Sequence, residues 1–266
     1  MPHAYTIIDA HAHIFPQKIA EKATTAIGRF YDIPMDYPAG ISEVLLAEGE
    51  KIGVSRYLVS SAATTPAQVQ SINDFIHAEC LAHPQFLGFG TFHPQMEAPE
   101  REIERILELG LRGIKLHPDF QTFLIDDPAV IPIYRRIAEA KLPILFHTGD
   151  NRYEYSRPLR LQRVMEQVPD LIAIASHFGG YERWEESAEV FCHPNLYFDT
   201  SSALFKLDHG TAVDMIRHFG ADRFMFGVDF PMWKHDEELE RFLSLQLTEE
   251  EREQILSKTF LALFAN

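Results

Sequence analysis

The feature that most constrains this chain is a regular alternation. Eight short runs rich in β-branched and aromatic residues recur along its length: YTIIDAHAH, SRYLVSSA, FLGFGTF, LRGIKLH, PILFHTG, LIAIASH, NLYFDT and RFMFGVD. Their length and composition are those of buried strands. The segments between them, such as EAPEREIERILELG and DPAVIPIYRRIAEAK, carry apolar residues at helical spacing, acidic residues early and Gly or basic residues late, as helix-end chemistry favours. At HPQFLGFG, VPDLIAIA and HPNLYFD a proline stands just ahead of a strand, where it ends the preceding helix. Strict strand–helix alternation predicts a parallel sheet, and eight such units predict an α/β fold closed into a (β/α)8 TIM barrel.

A chain of 266 residues with 46% hydrophobic composition can bury the core of one such barrel without a second domain, so residues 1–266 are expected to form a single domain. Two segments exceed what the barrel needs. The connection from Ile14 to about Gly40 is long enough to hold a short helix and cover one barrel mouth, and it carries Phe15, Phe30, Tyr31 and Tyr37. The C-terminal LTEEEREQILSKTFLALF reads as a closing helix, with Thr248 and Glu251 in a capping-box pattern.

Charge narrows the partners. With 39 acidic against 24 basic residues the formal net charge is -15, which repels phosphate backbones and anionic lipid surfaces. Nucleic acid and membrane are therefore not expected partners; a small molecule is. The two cysteines, Cys80 and Cys192, have no C-x-x-C spacing, which excludes a thiolate metal site and fits a reducing compartment. No basic segment followed by an apolar run opens the sequence, and no apolar stretch approaches the ~20 residues of a membrane span, so a cytoplasmic location is expected.

In a barrel of this kind the chemistry sits where strands end, and these ends are unusually polar. In IIDAHAH, alternate side chains share a face, so His11 and His13 point the same way with Asp9 below them. Strand 4 carries Lys115 and His117, strand 5 ends in His147, strand 6 in His177 and strand 8 in Asp229. One histidine near a turn is ordinarily structural, but four imidazoles and a carboxylate at the same end of one barrel would converge on its axis. Such a set suits a borderline divalent ion, with Zn²⁺ the first choice and Mn²⁺, Fe²⁺ or Co²⁺ as alternatives. A water in an open coordination position would have its pKa lowered toward ~7.

DAHAH at strand 1, followed by GIKLHP, FHTG, SHFGG and GVDFP at later strand ends, resembles the amidohydrolase superfamily, in the branch that includes aminocarboxymuconate-semialdehyde decarboxylase. The likeness runs from Asp9 to the terminal helix. It implies that His11, His13, His147 and Asp229 hold one metal ion, that His177 is the acid/base histidine, and that Asp229 also moves a proton. Gly179 and Gly180 would allow a sharp turn after His177. Two positions depart from the family pattern: Val228 stands where Ser is common, and Thr259 where Asn is common in the terminal helix.

Lys115 leaves alternatives open. The resemblance to binuclear superfamily members implies that, carboxylated by CO₂, it would bridge two metal ions, with His147 and His177 on the second; as an ammonium it would hold a substrate carboxylate, or pair with a buried acid. The single-ion arrangement ranks first. His117 and His93 are further candidates for substrate contact. Arg152, Arg157 and Arg160 follow strand 5, and a guanidinium there would bind an acidic substrate, although Asp150 and Glu154 compete for it. Trp233 and the aromatics of the first long connection could form an apolar lid. His83, His193, His209, His218 and His235 read as structural, away from the site.

The leading expectation is a metal-dependent hydrolase acting on an amide, lactone or ester of a small, carboxylate-bearing molecule. A non-oxidative decarboxylase is the alternative, because the same ligand set serves that reaction in the named relative. The family also leaves a homodimer open. An inactive binding barrel is disfavoured by the complete set of ligand residues.

Overall fold

The computed structural model describes residues 5–265. Each of the eight apolar runs holds one strand: β1 (Ile7–His13), β2 (Val54–Ser60), β3 (Phe86–Gly88), β4 (Ile114–Leu116), β5 (Ile144–Phe146), β6 (Ala173–Ala175), β7 (Leu196–Asp199) and β8 (Phe224–Met225). Helices occupy the intervening segments. Among the described residues the α-helices are α1 (Gln17–Tyr31), α2 (Ser42–Glu50), α3 (Val69–Ala82), α4 (Pro99–Glu108), α5 (Pro118–Gln121), α6 (Ile131–Glu139), α7 (Pro158–Gln167), α8 (Trp184–Val190), α9 (His209–Phe219), α10 (His235–Leu243), α11 (Glu249–Glu253) and α12 (Thr259–Leu263).

The chain divides into two compact units. One runs to Val59 and resumes at Asp199; the other is Ser60–Phe198. In the second unit β4, β5, β6 and β7 pair in parallel with consecutive registers, Ile114↔Ile144, Ile144↔Ala173 and Ala173↔Leu196, and a parallel bridge joins Gly90 to Ile114. Ile144, Leu145 and Phe146 are all fully buried. Consecutive buried positions mean that both faces of the strand are covered, and so this run shows no polar alternation.

In the first unit β1 is the spine. It neighbours β2, and on its other side Ala10 donates its N–H to the Phe226 carbonyl (2.8 Å) and Ala12 bridges Phe230 in parallel. The long connection after β1 holds a helix of 15 residues, α1, longer than the sequence suggests. The rest of it is tied to the segment after β8: Asp36 and Tyr37 donate their N–H groups to the carbonyls of Met232 (3.2 Å) and Pro231 (3.3 Å).

The end signals act as read. Pro99 begins α4 with Glu100 and Glu102 in its first turn, and Ile103 and Ile106 form its buried stripe. Thr248 and Glu251 cap α11 reciprocally. The terminal segment is not one α-helix, however: a π-helical stretch, Gln254–Lys258, separates α11 from α12, and the Ile255 carbonyl accepts the N–H of Phe226 (2.9 Å). Among the described residues no helix is long and apolar enough to cross a membrane.

The strands are shorter than the apolar runs because their polar ends leave the ladder. β8 keeps only two residues. Beyond it Gly227 donates to Thr200 Oγ1 (3.2 Å), Val228 to Asp9 Oδ1 (3.0 Å) and Asp229 to the His11 carbonyl (2.7 Å). Every backbone donor from Phe226 to Asp229 is satisfied outside a regular strand.

Candidate metal centre

In the first unit His11, His13 and Asp229 come together. His11 Nε2 lies 3.2 Å from His13 Nε2, and Asp229 Oδ1 lies 3.5 Å from the former and 3.2 Å from the latter. The side chain of His11 is wholly buried, while His13 and Asp229 keep 15% and 6% exposure. Donors bound to one tetrahedral ion through bonds of about 2.0–2.1 Å stand about 3.3 Å apart, and this N,N,O triangle has that spacing. The residues present therefore fit a divalent ion.

The far side of His11 supports the same reading. Its Nδ1 lies 2.9 Å from Asp199 Oδ2 and 3.0 Å from Ser201 Oγ. Asp199 Oδ1 accepts from the Ser201 hydroxyl (2.5 Å) and the Ser201 N–H (3.1 Å). A carboxylate on Nδ1 holds the ring proton there and leaves the Nε2 lone pair toward His13 and Asp229, an arrangement typical of metal-ligating histidines. Gly227 lets the backbone pass close at this point, where a Cβ would stand a tight 3.0 Å from His11 Cβ and 3.3 Å from Ser201 Cβ.

Asp9 braces the triad from below. Its Oδ1 accepts the N–H groups of His11 and Val228, both at 3.0 Å, and its Oδ2 lies 3.1 Å from His235 Nε2. One buried carboxylate thus links the strand carrying His11 and His13 to the segment carrying Asp229. His235, which reads from sequence as remote from the site, is the first residue of α10 and is 1% exposed against this carboxylate.

The second unit gathers His117, Asp119, His147 and His177. His147 Nδ1 lies 3.0 Å from His177 Nε2, and its Nε2 lies 3.7 Å from Asp119 Oδ2. The His117 ring stacks on His147 at 3.9 Å and on Phe120 at 3.7 Å, and its Nδ1 accepts the Phe120 N–H at the start of α5. Asp119 Oδ2 accepts from Ser156 Oγ (2.5 Å), and burial pushes this carboxyl up to about 7, against the pull of that hydrogen bond. His177 and Phe178 both adopt left-handed backbone, φ 60° and 55°, so the turn begins ahead of Gly179 (φ 80°). Non-glycine residues held there are strained, and such strain gathers at functional positions.

Other candidates are placed as follows. Lys115 is fully buried on β4, its N–H on the Gly90 carbonyl. Arg152 forks onto Asp150 through Nε (2.9 Å) and Nη2 (2.6 Å). Arg157 pairs with Glu154 and Glu186, and Arg160, on α7, with Asp126. His93 Nδ1 accepts the N–H of Gln95 (3.2 Å), and burial lowers its pKa. Trp233 donates its indole N–H to Ser202 Oγ (2.8 Å).

Asp199, Ser201, Ser202 and Asp119 escaped the sequence reading. Asp199 ends β7 and follows the same strand-end rule that selects Asp229. The two serines carry no local signal.

Close to the triad, Glu238 on α10 is buried beside Arg241, and desolvation raises its carboxyl to about 7 from an ordinary 4.5, with Asp229 adding to the effect. Folding then holds a proton on Glu238 that the unfolded chain releases, so this group's contribution to stability falls as pH rises through the window from about 4.5 to 7. Glu238→Gln removes that slope. In urea unfolding, the variant's stability relative to the wild type should rise by about 2–3 kcal/mol between pH 5 and pH 8. An unchanged difference would refute the assignment.

The sequence profile of the amidohydrolase family matches residues 8–265. Among proteins of curated function none matches by sequence. Among solved structures, the chain is similar to an uncharacterized TIM-barrel protein from Bordetella bronchiseptica, 23% identical, covering 98% of each chain with a TM-score of 0.80. It is similar also to a dihydroxybenzoic acid decarboxylase from a Polaromonas species with bound manganese and the inhibitor 2-nitroresorcinol. That match is 18% identical and covers 98% of this chain and 97% of the other, with a TM-score of 0.74. A proposed 2-pyrone-4,6-dicarboxylic acid hydrolase from Pseudomonas putida is 19% identical over 98% of each chain, with a TM-score of 0.68. These likenesses establish the fold class that the strand order predicts, a (β/α)8 barrel. With its profile matched from the first strand to the last helix, the chain belongs to the amidohydrolase family of enzymes.

Proposed function

We propose that this protein is a metal-dependent hydrolase of a small, carboxylate-bearing molecule. The observation that carries the reading is the N,N,O triangle of His11, His13 and Asp229 with Asp199 fixing the outer nitrogen of His11. A divalent ion at that triangle supplies Lewis acidity, polarising a carbonyl and acidifying water. Zn²⁺ is the proposed ion on the donor set, with Mn²⁺ the alternative favoured by the manganese in the Polaromonas decarboxylase.

The family likeness further assigns His147 as a third nitrogen and His177 as the acid/base group. The 3.0 Å contact between their rings supports that pairing, since a histidine anchored by a neighbour keeps one orientation and one tautomer. Lys115, His117 and Arg152 remain the proposed substrate contacts. On the spacing of its two cysteines, a reducing cytoplasm remains the proposed location. A homodimer remains an expectation of the family.

Decarboxylation is the second reading, favoured by the full-length likeness to a dihydroxybenzoic acid decarboxylase. One experiment separates the two: metal-loaded protein is offered lactones, including pyrone dicarboxylates, and hydroxylated aromatic acids, while uptake of ¹⁸O from water and release of CO₂ are followed. ¹⁸O in the organic product without CO₂ supports hydrolysis; CO₂ with no ¹⁸O in the organic product supports decarboxylation. Elemental analysis should find one equivalent of metal, lost in His147→Ala and kept in Lys115→Ala. Two equivalents that fall on removing Lys115 would replace the single-ion reading with a bridged pair.

A further inference from the structure

A chain of contacts behind Asp229 goes beyond the ligand set. Asp229 offers Oδ1 to the two histidines, while its Oδ2 accepts from Ser202 Oγ at 2.5 Å. Ser202 Oγ in turn accepts the indole N–H of Trp233 at 2.8 Å. Trp233 itself packs on the Phe205 ring, with ring centres 4.7 Å apart, and the Arg241 guanidinium lies 5.2 Å from the indole centre. Arg241 is anchored by Glu238 and by Glu237 (3.5 Å), both on α10.

Donor bookkeeping gives this chain a direction. An indole nitrogen only donates, so Trp233 occupies an acceptor position on Ser202 and leaves the single hydroxyl proton to be given onward. Its two acceptors are Asp229 Oδ2 and the Met232 sulfur at 3.4 Å. The carboxylate is by far the stronger. Backbone strain points the same way: Ser202 and Asp229 both sit in left-handed backbone, φ 46° and 65°, a conformation costly for either residue and maintained here on both sides of one hydrogen bond.

We propose that Ser202 and Trp233 are positioning residues that commit Asp229 to the metal ion through Oδ1 alone, by occupying Oδ2 and fixing the plane of the carboxylate. This rests on the metal-dependent reading above. Trp233 then acts through its N–H on Ser202, where the sequence suggested an apolar lid over substrate. Without the Ser202 hydroxyl the carboxylate can rotate or chelate through both oxygens, and the triangle loses its preset spacing.

The test is metal affinity, read without substrate. Apoprotein is titrated with Mn²⁺ or Zn²⁺ alone, in competition with a chelating dye, and folding of each apoprotein is checked by circular dichroism and urea unfolding. Ser202→Ala should weaken binding by about 10- to 100-fold, the range for partners that orient a ligand. Ser202→Gly should weaken it equally, although glycine accepts the φ at that position without strain, so a purely conformational role would spare this variant. Trp233→Phe keeps the ring against Arg241 and Phe205 but removes the donor, and should lose about 3- to 10-fold, less than a full orienting contact.

Folded Ser202→Gly and Trp233→Phe proteins that bind within twofold of the wild type would overturn the inference while leaving the metal site standing. Wild-type protein that takes up no stoichiometric ion would overturn the metal reading and this inference with it.

Discussion

His13→Ala is expected to weaken divalent-ion binding by at least about 100-fold and to bring turnover down to background, with only a small loss of stability. A ligand removed outright should cost more than the 10- to 100-fold typical of an orienting partner. His13 closes the triangle from the partly exposed side, 15% accessible, so truncating it leaves a space that water can enter. His11→Ala should match it in metal loss but differ in stability. The His11 ring is wholly buried on Asp199, and its removal takes one donor from that buried carboxylate while the two from Ser201 stay, a change that costs about 1–3 kcal/mol. Equilibrium dialysis and urea unfolding on the same samples check both. Equal metal binding by His13→Ala and the wild type would exclude the triangle as the metal centre.

Asp9→Ala should be the most damaging substitution for the fold around the site. The carboxylate is fully buried and accepts from three groups: the N–H of His11, the N–H of Val228 and the ring of His235. Each buried donor left without a partner costs about 1–3 kcal/mol, so the loss should be about 3–5 kcal/mol even with partial relaxation. Asp9→Asn keeps an acceptor for the backbone groups and should lose roughly half as much. Because the same carboxylate ties the His11 strand to the Asp229 segment, metal affinity should fall in parallel. Thermal and urea unfolding of the two variants decide the matter; a loss below about 1 kcal/mol in Asp9→Ala would show that the three contacts are dispensable.

Much of this protein is written in short stretches of sequence. The eight strands coincide with the eight apolar runs, β2 starting one residue early at Val54, and where both faces of a strand are covered the run is continuously apolar, as in ILF at β5. Caps are local as well, and Thr248 with Glu251 forms the box that its spacing announces. His11 and His13 share a face through the two-residue period of a strand, and they meet at 3.2 Å. Chain lengths and helix character were less legible: α1 is longer than expected, and the terminal helix contains a π-helical stretch whose Ile255 carbonyl serves Phe226.

What surrounds the ligand residues could only come from packing. Asp199 and Ser201 reach His11 across 188 and 190 positions, and His235 reaches Asp9 across 226. No periodicity or spacing encodes such pairs, because a hydrogen bond between distant side chains depends on where the backbone places them. Arg157 and Arg160 show the same limit in reverse: a guanidinium after a strand looks available for an acidic substrate until Glu154, Glu186 and Asp126 are seen to pair with it. The sequence alone determined the order of strands and helices and the kinds of donor at the strand ends, since both follow from near neighbours along the chain. Tertiary structure decided which oxygen of Asp229 faces the histidines, which nitrogen of His11 stays outward, and that Trp233 turns its N–H to Ser202, since each depends on partners brought together only by folding.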